Sequence, residues 1–159
     1  MEKVGVFFIL LIAIALSGPV FAEINPNPNL QGTLSMGIAI PAGITVKYWP
    51  NSTNAFDFKS SWSTDDKKSR ICVDYLWHNF NFFSRPEFQN QNLAFYYGLG
   101  AKFCSGKKEE VGLRVVFGIN YFFKEIPFDF FCEISPTLQL SPETNLNVDP
   151  GIGIRYLFH

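Results

Sequence analysis

The chain has 159 residues and a formal net charge of -1, from 13 Lys and Arg against 14 Asp and Glu. That balance, with no basic arm, excludes an electrostatic nucleic-acid binder. Aromatic residues are 17% of the chain, Phe alone supplying 18, while charged residues are also only 17%. This is high for a soluble domain, and something apolar besides a core must take them.

The N-terminal stretch reads as a leader. Lys3 supplies a short positive region, Val4 to Ala15 is an apolar run, and Ser17-Gly18-Pro19 breaks it. Val20-Phe21-Ala22 then offers small residues at the two positions a signal peptidase reads. Cleavage is expected after Ala22, making residues 1–22 a Sec-type signal peptide; the competing reading is an uncleaved membrane helix. No Cys follows the site, which argues against a lipid anchor. Glu23 to Gln31 is polar with alternating Pro and reads as an extended linker. Residues 32–159 are left as one domain.

From there the chain reads as strands. Leu34 to Ile40 alternates an outward set, Leu34, Met36, Ile38 and Ile40, with Ser35, Gly37 and Ala39. Pro41-Ala42-Gly43 turns into Ile44 to Trp49, which points Thr45 and Lys47 inward. After the turn at 50–54, Ala55 to Ser63 exposes Phe56, Phe58 and Trp62; Ser60 is the irregularity, a polar residue on the apolar face. The loop Thr64 to Lys68 leads to Ser69 to His78. Leu93 to Cys104 follows, and the charged turn Ser105 to Glu110 leads to Val111 to Phe123, the most regular strand. It sets Val111, Leu113, Val115, Phe117, Ile119, Tyr121 and Phe123 against Gly112, Arg114, Val116, Gly118, Asn120 and Phe122. Pro127 to Leu140 and, after the loop Ser141 to Asn147, Val148 to His159 complete eight strands. Their Val, Ile, Phe and Tyr content favours strand over helix.

Which face is polar decides the class. A soluble eight-stranded barrel places its apolar face inside. Here the mixed face carries charges in strand after strand, Lys47, Asp57, Lys59, Arg70, Asp74, Lys102, Arg114, Asp129, Glu133 and Arg155, among many Gly, Ala and Ser. The other face is broadly apolar and would aggregate in water, so lipid is its natural solvent. The fold class expected is therefore all-β, an eight-stranded antiparallel up-and-down transmembrane β-barrel preceded by a cleavable signal peptide. Aromatic sorting agrees. Tyr48, Trp49, Phe56, Phe58, Tyr75, Trp77, Phe95, Tyr97, Tyr121, Phe123, Phe128, Phe130, Tyr156 and Phe158 collect at one end as an interfacial girdle, with Trp62 and Phe103 at the other.

On this architecture and on its last strand, GIGIRYLFH, the chain resembles the OmpA/OmpX-like family of eight-stranded bacterial outer-membrane barrels. The resemblance implies an outer-membrane location, with both termini in the periplasm. The links at 41–43, 64–68, 105–110 and 141–147 are then extracellular, and those at 50–54, 79–92 and 124–126 periplasmic. It also implies that Ile154, Tyr156 and Phe158 form the signal read by the barrel-assembly machinery, the chain departing from the usual pattern in ending on His159 rather than on the aromatic. Outer-membrane lipids and that machinery are the partners expected, for a monomer without cofactor, metal or catalytic residues.

Three functions remain: a structural or surface-interaction barrel, a narrow channel, and a lipid A-modifying enzyme. A soluble ligand-binding barrel is a fourth. In so narrow a lumen the charges must pair or be hydrated, and Arg114, Glu133 and Arg155, on successive strands, are one candidate cluster. An enzyme would need a base within reach of the bilayer; His78, expected inward and hydrogen-bonded to Asp74, is the one internal histidine. Cys72 and Cys104 point inward on adjacent strands, either bridged or as two unpaired thiols, and Cys132 is expected to face lipid. Gly98-Leu99-Gly100 and Gly151-Ile152-Gly153 lie inside strands, without the helix a phosphate loop requires. The long link Asn79 to Asn92 is read as strand extension plus turn, or else as a plug for the lower barrel mouth or an interfacial or partner-binding segment.

Overall fold

A computed structural model describes residues 29–41, 43–63, 68–83, 92–106 and 109–158. The leader, the linker up to residue 28, Arg85-Pro86 in the long link, and His159 lie outside the described residues. Eight strands close into one antiparallel barrel in sequence order: β1 (Leu34–Ile40), β2 (Gly43–Tyr48), β3 (Asn54–Ser63), β4 (Lys68–Asn79), β5 (Leu93–Ser105), β6 (Glu110–Phe122), β7 (Phe128–Ser141) and β8 (Asn145–Phe158). β1 seals the barrel against β8, from Leu34 opposite Phe158 to Ile40 opposite Ile152.

Alternation places side chains as period 2 demands. Leu34, Met36, Ile38, Ile40, Phe56, Phe58, Ile71, Val73, Leu113, Ile119, Ile134, Ile152 and Ile154 are exposed on the outside. Ser35, Thr45, Lys47, Asp57, Asp74, Asn120, Asp129 and Arg155 are buried inside. The inner glycines make room for bulky neighbours: a Cβ on Gly153 would lie 2.6 Å from the Phe131 ring, and one on Gly118 would collide with Tyr96.

The wall is uneven. β1 and β2 have 7 and 6 residues, whereas β5 and β6 have 13 and β7 and β8 have 14. At about 3.3 Å per residue and a tilt near 40°, a 13-residue strand rises roughly 33 Å and a 7-residue strand roughly 18 Å. The difference falls entirely at the end away from the termini, termed the upper end below.

The lower end, which carries Leu34 and Phe158, holds the girdle. Phe56 and Tyr75 have ring centroids 4.9 Å apart, Tyr75 and Trp77 4.9 Å, Trp77 and Tyr97 5.7 Å, and Tyr156 and Phe158 4.8 Å. Trp49 is a correction. It shares the parity of Thr45 and Lys47, so it turns inward, is fully buried, and stands 6.0 Å from the Phe122 ring.

Candidate functional site: a layered lumen

The lumen is filled in layers from the lower end upward. The lowest is apolar: Leu30, Trp49, Ala55, Phe80, Ala94, Phe122 and Leu157 form one buried cluster. Leu30 belongs to the stretch read as a polar linker, and that reading stops short of it. Gly32 adopts φ 77°, a left-handed conformation that glycine takes without penalty. The chain then turns back beneath the barrel: Gly32 N donates to Trp49 O at 2.8 Å, and Trp49 N donates to Thr33 O at 3.0 Å. The long link divides likewise. Strand pairing ends at Asn79, Phe80 enters the plug, and Phe82 stacks on Phe95 at 4.9 Å, while residues 84–91 lie outside the described part.

Above the plug, Lys47 Nζ donates to Asn120 Oδ1 at 2.9 Å and lies 3.1 Å from His78 Nε2. His78 Nδ1 is 3.3 Å from Thr53 O. These contacts are mutually satisfied when Nδ1 carries the proton and Nε2 accepts. Lys47 has no ion pair with a carboxylate among the described residues; its ammonium is held by the amide, the imidazole and the faces of Trp49 and Tyr96, 4.9 and 4.7 Å from its nitrogen. The expected His78–Asp74 contact is not formed. Four residues along one strand separate their side chains by about 13 Å, and Asp74 turns instead to Lys59 at 3.2 Å and Arg114 at 3.2 Å.

The next layer centres on Arg155, fully buried, which pairs with Asp129 at 2.8 Å and Asp57 at 3.2 Å and stacks on Phe131 at 4.1 Å. Asn120 and Thr45 donate to these same carboxylates at 2.7 and 3.0 Å. Above it Lys59 joins Asp57, Asp74 and Glu133 at 3.1, 3.2 and 2.8 Å. Arg114 meets Glu133 at 3.4 Å, and Tyr96 donates to Glu133 at 2.8 Å. The candidate cluster of Arg114, Glu133 and Arg155 is thus divided: the first two pair, while Arg155 belongs to Asp57 and Asp129 one layer below.

At the upper end Asp149 accepts from Lys102 at 2.7 Å and lies 3.8 Å from Arg70. Asp149 was absent from the ten expected charges, because a strand begun at Val148 leaves it at the margin; β8 begins at Asn145. A cavity of about 50 Å³, bounded by Lys59, Arg70, Arg114, Glu133 and Asp149, opens here. That is room for a few waters among polar groups.

All three cysteines are free thiols. Cys72 stands opposite Lys102 and Cys104 opposite Arg70, so the two are a diagonal, not a direct, pair, and no bridge joins them. Diagonal neighbours lie about 7–8 Å apart, beyond ordinary disulfide reach. Cys132 is exposed on the outer face.

No protein-family model matches the chain, and no curated protein sequence matches it. Among solved structures, the N-terminal β-barrel domain of Pseudomonas aeruginosa OprF superposes with a TM-score of 0.60 at 12% identity, over 80% of this chain and 98% of that one. A structure from the de novo design of transmembrane β-barrels aligns with a TM-score of 0.49 at 15% identity, over 86% of this chain and 100% of that one. The eight-stranded antiparallel barrel expected from the resemblance is the fold found.

Proposed function

We propose that this chain is a small outer-membrane barrel with a structural or surface-interaction role, inserted through its apolar outer face and closed to ions along its axis. The observation that carries the reading is the sequence of lumen layers. The apolar plug, the Lys47 layer, the Arg155 layer and the Lys59–Arg114 layer succeed one another without a continuous polar gap. Buried charges so paired hold one another in place, since breaking a pair strands a charge in a medium that solvates it poorly.

The wall supports the location. Isoleucine, leucine and phenylalanine exposed around a closed barrel are stable against hydrocarbon, because the strands pair with one another all the way round. By likeness to the OprF barrel domain and the OmpA/OmpX-like family, both termini lie on the periplasmic side. Residues 1–22 act as a Sec-type leader in this reading. Ile154, Tyr156 and Phe158, all exposed on the outer face, are the signal presented to the assembly machinery. The barrel works as a monomer in this account.

A narrow channel is the second reading, favoured by the cavity at the upper end. The plug opposes it. A lipid A-modifying role is opposed by the position of His78, buried within 4.2 Å of the Trp49 ring and turned away from the bilayer.

Two measurements test the proposal. The mature chain refolded in detergent is expected to migrate as a compact, protease-resistant species that shifts on boiling, and planar bilayers containing it are expected to show no steady conductance. A chain that folds and stays soluble without detergent overturns the location; stable unitary currents overturn the closed lumen.

A further inference from the structure

The short β1–β2 hairpin leaves a notch in the upper wall. β1 ends its pairing at Ile40 opposite Ile152, so Asn145 to Gly151 of β8 have no partner on that side among the described residues. On the other flank β2 ends at Gly43 opposite Ser61, and Trp62 pairs only with β4, at Ser69. β3 and β8 are three strand spacings apart, so the opening is roughly 14 Å wide. It is also low. The hairpin rises roughly 18 Å above Leu34, whereas the apolar band of such barrels is about 25 Å tall. The notch therefore begins beneath the level of the lipid headgroups.

Its rim and its floor differ in chemistry. Ile40, Ile38, Val148 and Trp62, at 69%, 67%, 61% and 59% exposure, are the most exposed large apolar residues described, and all four flank the opening. Val148 and Trp62 have no strand beside them on the notch side among the described residues, and Ile40 and Ile38 stand at and just below its lower edge. The floor is the charged cavity. Arg70 faces it with a side chain 37% exposed and, among the described residues, one ion pair, 3.8 Å long, to Asp149; the deeper Lys59 and Arg114 are already engaged by carboxylates. Ser60, the polar residue that breaks the apolar face, borders the same cavity.

Resting on the membrane-barrel reading, we infer that this notch is a lateral site for a lipid of the outer leaflet, whose phosphorylated headgroup meets Arg70 and whose chain lies along Ile38, Ile40, Trp62 and Val148. A guanidinium fork matches a phosphate oxygen pair, and Lys cannot reproduce it. An extended polypeptide pairing with the free edge of β8 is the competing occupant. Pro150 disfavours it, because proline has no backbone donor to offer a pairing strand near the base of that edge.

The test uses the mature chain refolded into phosphatidylcholine vesicles. These are doped with brominated-chain phosphatidic acid or, at the same fraction, with phosphatidylcholine bearing the same chains. Bromine quenches tryptophan on contact. Trp77 sits in the lower girdle and is replaced by Phe, leaving Trp62 as the reporter at the notch and Trp49 inside the plug. Phosphatidic acid is expected to quench Trp62 in excess of phosphatidylcholine, one charge-assisted contact corresponding to roughly tenfold enrichment at the notch. Arg70→Gln removes the excess, and Lys68→Gln, at an exposed cation on the same rim, leaves it in place. Equal quenching by the two lipids overturns the inference and leaves the β8 edge to a polypeptide; an excess that survives Arg70→Gln overturns it as well. Heat-modifiable mobility is recorded on the same samples. A compact species with equal quenching fails the notch alone, whereas no compact species fails the membrane barrel and the notch together.

Discussion

At the lower end of the lumen Leu30, Trp49, Phe80, Phe122 and Leu157 are buried against one another, and at the upper end Arg70 and Asp149 border a cavity of about 50 Å³. The lower one is built partly by strand residues, Phe122 and Leu157, and partly by Leu30, Trp49 and Phe80 just outside the strands. The lower one closes because apolar groups need no specific partner to leave water, only volume to fill. The upper one stays open because a charge leaves water favourably only where a partner of fixed geometry waits for it. Between them lie layers in which every charge but Lys47 has found such a carboxylate or cation partner.

The middle layers mark the largest difference and the easiest way to break it. Arg155→Ala leaves Asp57 and Asp129 facing each other in a sealed interior, their shared cation gone. The expected loss is about 3–5 kcal/mol, read as a lower urea midpoint of the heat-modifiable form. A loss below about 1 kcal/mol would mean that the lumen admits water at this level. Trp49→Ala comes next. Removing a large buried ring costs about 3 kcal/mol, yet planar-bilayer recordings should stay silent, because the Arg155 and Lys59 layers still block the axis. Currents from Trp49→Ala alone would make the apolar plug the true seal. Leu30→Ala tests the turn beneath the barrel, and about 2 kcal/mol is expected, at the low end for a leucine, since the segment before Gly32 can resettle.

The wall was far more legible in the sequence than the contents of the lumen. Alternation is a local property, and each residue's face follows from its neighbours two positions away; hence Lys47, Asp57, Arg114, Asp129 and Arg155 are inside as their parity requires. Partner choice is not local. Arg155 reaches Asp57 across 98 positions of sequence, and Lys59 collects carboxylates from β3, β4 and β7. Those meetings depend on the shear and diameter of the closed barrel, which no single strand encodes. Trp49 could have been placed by parity alone, since it stands two residues after Lys47. Leu30 could not. It lies outside any strand, and only the turn at Gly32 and the bonds to Trp49 carry it under the barrel.

The smallest expected effect belongs to the open end. Arg70 is a part-exposed inward cation, and its one ion pair among the described residues, to Asp149 at 3.8 Å, is held in water-accessible surroundings. Exposed pairs of that kind are worth about 0.2–1 kcal/mol, so Arg70→Gln should move the urea midpoint little. Asp149 keeps its shorter contact to Lys102 and its bond from Thr137, at 2.7 and 3.1 Å, so no carboxylate is stranded. Set beside Arg155→Ala, the pair of variants measures how steeply the cost of losing a guanidinium falls from the sealed layers to the open mouth. A loss for Arg70→Gln as large as for Arg155→Ala would mean that the upper cavity is closed in the membrane, and that the two ends of the lumen are sealed alike.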